Sequence, residues 1–253
     1  LDFLILKNKL NFRQHIFDNN DLPKGSCIAL LGGGGKTALL NKLTNEFSQI
    51  FDSVLHTSIT KTIYCPLHKP LLISEIENVN LNLYKIKHNP AFIIGNKISK
   101  EKFNGITELE LEILRHQFDI TLFECDGARN KPLKVHNSID PIIPKFVTHT
   151  IIVVGADIIG TKVRDGFVHR PNLFCKTWEV SEDDILIPDL IVEVLTSEQG
   201  YLSKIKHECE KIFFVNKSDI SVKNSKILAT QLLKKGIGPA FFGSVQQELI
   251  EHA

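Results

Sequence analysis

Short apolar runs recur along the chain, separated by stretches whose apolar residues fall three or four positions apart. The runs Ser26–Leu31, Ser53–Thr57, Phe92–Gly95, Ile120–Glu124, Thr150–Val154, Lys211–Val215 and Ala240–Gly243 are strand-sized and rich in β-branched or large apolar residues, which predicts strands. Between the first two, Leu39, Leu43 and Phe47 lie on one helical stripe and predict a helix over Thr37–Phe47. Thr107 and Glu110 carry the spacing of a capping box and open a helix over "ELELEILRHQF". A further helical region is expected to begin at Ser181–Asp184, to be interrupted at Pro188 and to close near Gly200. Strands alternating with helices predict an α/β fold, a mostly parallel sheet with helices on both faces in three layers. Ligands then belong at the carboxyl ends of the strands.

The 253 residues suit one large domain with a substantial core, since a chain of this size buries roughly three quarters of its unfolded surface. The reading is a single domain over residues 1–253, with the proline-punctuated stretch 131–171 as an irregular insertion or lid on it. Lys and Arg total 30 against 29 Asp and Glu, a net charge of +1, which argues against a nucleic-acid partner. No apolar run approaches the roughly twenty residues that span a membrane, so no membrane partner is expected. The run "LDFLILKNKLNF" lacks a basic leader and a cleavage site, and Cys27, Cys65, Cys125, Cys175 and Cys209 show no CxxC spacing. Both features point to reduced cysteines and a cytoplasmic location.

The run "CIALLGGGGKTALLNKL" places Gly32, Gly33, Gly34 and Gly35 between the first strand and the first long helix. Glycine costs roughly 0.5–1 kcal/mol relative to alanine inside a regular element, so four together need a compensating reason. A glycine loop between strand and helix can aim backbone N–H groups at phosphate oxygens, and the helix start adds attraction for the anion. Lys36 would reach the β- and γ-phosphates and the Thr37 hydroxyl would ligate Mg²⁺. The pattern is the shortened GGGGKT, with Leu30 where the full motif has its first glycine.

The strand Ile120–Glu124 ends in Glu124-Cys125-Asp126-Gly127. Alternation points both carboxylates to one side if the strand continues that far. One would hold Mg²⁺, while the other orients the attacking water or senses the γ-phosphate through Gly127. Lys36, Glu124 and Asp126 are the catalytic candidates, and Thr37, Glu124 and Asp126 the metal candidates. After the strand Lys211–Val215 stands Asn216-Lys217-Ser218-Asp219, the NKxD arrangement. Guanine presents two adjacent donors that one carboxylate accepts, whereas adenine would leave Asp219 unpaired. Asn216, Lys217 and Asp219 therefore favour GTP over ATP, and "FFGSV" is placed to close over the base. "SITK", ending at Lys61, follows a strand and is a candidate phosphate or Mg²⁺ switch. Arg129, Lys131, Lys134, His169 and Arg170 are cationic candidates for a phosphate clamp or a partner surface. His136, His149 and His169 lack close ligand spacing, so no transition metal is expected.

Taken in order, GGGGKT, TSITK, ECDGARNKPLK, IDPIIP, VVGADIIGTKV, VHRP and VNKSD resemble the YqeC family across nearly the whole chain. The resemblance implies a P-loop NTPase-like fold and a role as an accessory protein of selenium-dependent molybdenum hydroxylases. It also implies Gly32–Thr37 as nucleotide loop, a signature cluster of Glu124, Asp126, Arg129 and Lys134, and a later motif with His169 and Arg170. The ECDG run is similar to the Glu-x-x-Gly switch of nickel-enzyme maturation GTPases, an analogy only. The expectation is a Mg²⁺–GTP-binding maturation switch acting on a client metalloenzyme or its maturation factors. The alternative is a nucleotide-dependent transferase or synthetase that modifies a small molecule such as a pterin cofactor.

Overall fold

The computed structural model describes residues 11–17, 22–63 and 69–253; Cys65 and residues 1–10, part of the run read for a leader, lie outside them. In chain order the strands are β1 (Ser26–Gly32), β2 (Val54–Ser58), β3 (Thr62–Ile63), β4 (Leu71–Leu72), β5 (Ala91–Ile94), β6 (Lys102–Phe103), β7 (Ile120–Glu124), β8 (Leu133–Lys134), β9 (His149–Gly155), β10 (Val168–His169), β11 (Glu210–Asn216), β12 (Ala240–Ser244) and β13 (Leu249–His252). The helices are α1 (Phe12–Ile16), α2 (Lys36–Phe47), α3 (Leu81–Lys87), α4 (Glu108–Arg115), α5 (Pro171–Trp178), α6 (Pro188–Thr196) and α7 (Val222–Lys234).

Nine strands form one sheet in the order β13-β12-β11-β9-β1-β7-β2-β5-β4. All neighbours are parallel except β12 and β13. All seven predicted strands are present, and the predicted α/β architecture with a mostly parallel sheet is the one observed. β1 is buried along its whole length because both of its faces are covered, which is why it reads as an unbroken apolar run. Cys27, Ala29 and Leu31 face a cluster shared with Leu111 of α4, Ile191 of α6 and Leu228 of α7. Ile28 and Leu30 face the opposite cluster with Phe12 of α1 and Leu39, Leu43 and Phe47 of α2. The period of two along the strand thus sorts neighbouring residues into two cores.

Two sequence expectations change in detail. The Thr107–Glu110 capping box is present, but its helix ends at Arg115. Residues Ser181 to Asp184 form a turn, with Asp184 accepting from the Ser181 amide, and Pro188 starts α6 instead of interrupting a helix. Proline is well suited to that position, because the first helical residue has no intrahelical use for an N–H. The proline-punctuated stretch 131–171 carries β9 in its middle, hydrogen-bonded between β1 and β11. Residues 131 and 132 lie at the carboxyl edge, where Gly155 N–H donates to Pro132 O, and Thr148 enters β9 at the amino edge, donating to Cys27 O. Among the described residues no helix is long and apolar enough to cross a membrane.

Candidate functional site

β1, α2 and β7 meet at the centre of the sheet edge. The parallel register sets Leu30 beside Glu124, so the acidic end of β7 lies against the beginning of the glycine loop. At the start of α2, the Thr37 hydroxyl donates to Glu124 Oε1 at 2.5 Å. Both residues line a cleft of about 1340 Å³, together with Gly33–Lys36, Thr60, Gly127 and Arg170. Burial raises the Glu124 pKa above the usual carboxylate value, and the Asp126 charge adds to that. Lys36 and the Thr37 hydrogen bond act in the opposite direction.

Asp126 is buried away from the cleft and holds the loop from beneath. Its carboxylate accepts the Gly32 amide at 3.1 Å through either oxygen, and Lys36 Nζ lies 3.1 Å from Oδ1. His136 Nε2 lies 2.6 Å from Oδ2, with Lys134 Nζ 3.8 Å from the same oxygen. Burial by itself would raise the Asp126 pKa; Lys36, His136 and Lys134 hold it well below the usual carboxylate range. For Lys36 burial favours the neutral amine, but Asp126 and Glu124 keep its pKa above the ordinary lysine value. Lys36 also donates back to Gly32 O at 2.6 Å.

The network runs outward from there. Lys134 pairs with Asp140, and Arg170 forks onto both oxygens of Asp140 at 2.8 and 3.2 Å, a bidentate geometry that fixes both groups. Tyr201 secures the backbone of Lys134 from both sides, accepting from its N–H at 3.0 Å and donating to its carbonyl at 2.7 Å. Lys134 and Arg170, candidates from sequence for a phosphate clamp or a partner surface, are engaged with carboxylates. Arg129 and Lys61 are exposed, and both line the cleft with His169.

The glycines have a second reason to be glycines. A Cβ on Gly33 would stand 2.3 Å from Lys131 O, and one on Gly34 would stand 2.1 Å from the Gly155 amide nitrogen. Backbone segments cross the loop at contact distance. They also take its donors: Gly33 N–H goes to Val153 O and Gly34 N–H to Lys131 O. The loop's first three amides are thus committed to the protein itself, while the amides at the start of α2 have no intrahelical acceptor.

The NKxD residues gather on the other side of the loop. Asn216 donates to Gly34 O at 2.7 Å and accepts the Val245 amide at 3.1 Å. Lys217 pairs with Asp157 at 2.6 Å, and Asp219 is exposed. Ser218 N–H donates to Gly243 O at 2.9 Å, so "FFGSV" adjoins this turn. On the other flank of β7, Ser58 Oγ donates to the Glu124 carbonyl at 3.3 Å, and the Ile59 amide donates to it at 3.1 Å. The SITK segment is thereby held beside the acidic strand end.

Sequence reasoning set His136 aside as a metal ligand and did not see its place beside Asp126; it gave Asp140 no site role and missed Tyr201. A signal for His136 existed: Lys134 and His136 alternate in an extended run, which sends both to one side. Asp140 stood inside the quoted IDPIIP run without a site role, and Tyr201 carried no signal, because only the tertiary fold brings it in.

Three histidines give the molecule a pH signature. Burial is the main cause that lowers the pKa of His136, His149 and His169; at His169 the charges of Lys134, Arg170 and Arg129 lower it further, to about 4. The unfolded chain binds protons near pH ~6.5 that the folded chain does not, so stability is expected to fall as pH drops from about 6.5 towards 4. Thermal melts across that range check this, and a flat or rising melting temperature on acidification contradicts it.

Residues 28–172, more than half of the chain, match the model of the family described as YqeC protein. Over 238 residues the sequence is 25% identical to the Uncharacterized protein YqeC of Escherichia coli (strain K12), covering 92% of each chain. With the match extending from β1 through the acidic strand end to the His169-Arg170 turn, the chain belongs to the YqeC family.

Proposed function

We propose that this chain binds Mg²⁺–GTP at the start of α2 and hydrolyses it as a switch in the maturation of a client enzyme. The observation that carries the reading is the Thr37 hydroxyl resting on Glu124 at 2.5 Å, beside a buried lysine at the end of a glycine loop. Among the described residues there is no group of three or more His, Cys, Asp or Glu able to hold a metal. One hydroxyl and one carboxylate suit Mg²⁺ in particular, since it keeps several waters and binds largely through substrate phosphates. Thr37 and Glu124 would hold the ion, which when bound neutralises charge between the β- and γ-phosphates.

The protein's own groups supply the rest. Lys36 exchanges Gly32 O for phosphate oxygens while Asp126 keeps it charged. The amides at the α2 start face the anion, and Gly127 at the cleft wall is placed to follow the γ-phosphate. Hydrolysis forms a bond from a water oxygen to the γ-phosphorus and breaks the bond to the bridging oxygen, releasing GDP and phosphate. A base-reading role for the Asn216–Asp219 turn is supported by its attachment to the glycine loop through Asn216 and Gly34 O. The client, a selenium-dependent molybdenum hydroxylase or one of its maturation factors, rests on the family resemblance alone. A transferase reading, in which a small organic molecule replaces water, is supported by the size of the cleft.

Calorimetric titration with GTP and ATP, with and without Mg²⁺, tests the proposal. GTP is expected to bind more tightly and to require Mg²⁺ for full affinity. Asp219→Ala is expected to lower GTP affinity about 10–100-fold and leave ATP unchanged, because a hydrogen bond to a charged group contributes about 1.5–3 kcal/mol. Equal affinity for both nucleotides in the unaltered chain removes the guanine assignment.

A further inference from the structure

The cleft extends well beyond the glycine loop, and its extension lies opposite the NKxD turn. The NKxD turn follows β11, on the β9 side of β1, whereas the cleft is walled by residues that follow β7, β2 and β5 on the other side. Asn216, Lys217 and Asp219 do not line it. Its volume, about 1340 Å³, exceeds the roughly 300–1,000 Å³ of an ordinary single-ligand pocket.

The chemistry of the far half is distinct. Ile63 of β3 and Lys102 of β6 are direct cross-strand partners, so an apolar side chain and a cation stand side by side on one face of that ribbon. Ile63 is 61% exposed and Ile142, also at the cleft wall, 49% exposed. Lys61, Lys102 and Arg129 line the same space, and among the described residues none of the three has an ion-pair partner. Of the carboxylates on that side, Glu110 is turned to the Thr107 cap, leaving Glu108 at the rim. Unpaired cations around exposed isoleucines match a ligand with an apolar body and a negative group.

We propose that the cleft binds a second ligand, a small organic anion with an apolar body, on the side of the glycine loop away from the nucleoside. Its placement next to the terminal phosphate rests on the nucleotide reading above; its binding to the cleft does not. Phenyl phosphate is a suitable probe, because it joins a ring to a single anionic group. Calorimetric titration of the full chain, saturated with Mg²⁺–GDP, is expected to give one phenyl phosphate per chain. Inorganic phosphate and benzyl alcohol, each lacking one half of the chemistry, are expected to bind at least about tenfold more weakly. Lys102→Glu and Ile63→Asp, both at exposed positions of the ribbon, are each expected to weaken phenyl phosphate about tenfold and to leave GDP affinity unchanged. The proposal is overturned if GDP excludes phenyl phosphate, if inorganic phosphate binds equally well, or if neither variant alters binding. The GDP titration alone judges the nucleotide reading: no GDP binding, with phenyl phosphate still sensitive to both variants, removes the nucleotide and keeps the cleft.

Discussion

Replacing Lys36 with alanine is expected to weaken Mg²⁺–GTP binding about 100-fold and to abolish measurable hydrolysis. Lys36 is buried and stays charged because Asp126 and Glu124 outweigh its desolvation. In the proposed complex it would present a permanent cation to the phosphates, and a charge-assisted hydrogen bond of this kind contributes up to about 3 kcal/mol, or some two decades in affinity. The fold is expected to survive. With the lysine gone, Asp126 still has the Gly32 amide, His136 and Lys134 around it. Calorimetry and a thermal melt on the same sample separate the two effects. Near-normal binding by a folded Lys36→Ala chain would mean that the loop grips something other than phosphate.

Asp126→Asn is expected to have the larger effect on stability, a loss of about 3–5 kcal/mol, the range for removing one partner from a buried ion pair. Every group around the carboxylate is a donor: the Gly32 N–H, Lys36, His136 Nε2 and Lys134. Asparagine keeps the shape but offers one acceptor oxygen and turns two N–H groups towards those donors. Lys36 and Lys134 lose the charge that offsets their burial. Urea unfolding, read from the midpoint at constant slope, measures the loss. The acid limb of the stability curve gives a second check. The Asp126 pKa is depressed in the fold, so its contribution is complete above the unfolded carboxylate value of about 4 and disappears only as pH falls below it. The variant should lack that component. A loss under about 1 kcal/mol would show that the loop is held by its backbone crossings and not by this anion.

The predicted strands were legible because their burial on both faces removes polar positions, as in β1 and β7. Ile120–Glu124 was readable to the residue, since Asp119 and Cys125-Asp126-Gly127 bracket an apolar run. Leu71–Leu72 and Leu249–His252 were not legible: two residues are too short for any period, and an edge strand with polar alternate positions resembles a loop. Pro188 was misread because proline both breaks helices and begins them, and only the preceding turn decides which. In the site, Thr37 and Glu124 were recognisable from their neighbours in sequence. The ring of donors around Asp126 was only partly so, because Gly32 lies 94 residues away. The glycines were explained by phosphate binding alone, and the crossing segments that also require them are visible only in three dimensions.

The side chain of Asn216 deserves a mechanical interpretation. One end grasps Gly34 O and the other the Val245 amide, so a single planar strut spans from the glycine loop to the turn that leaves β12. Asn216 therefore ties the position of the loop to that of the turn. An apolar substitution of Asn216 would leave both Gly34 O and the Val245 N–H without these side-chain partners.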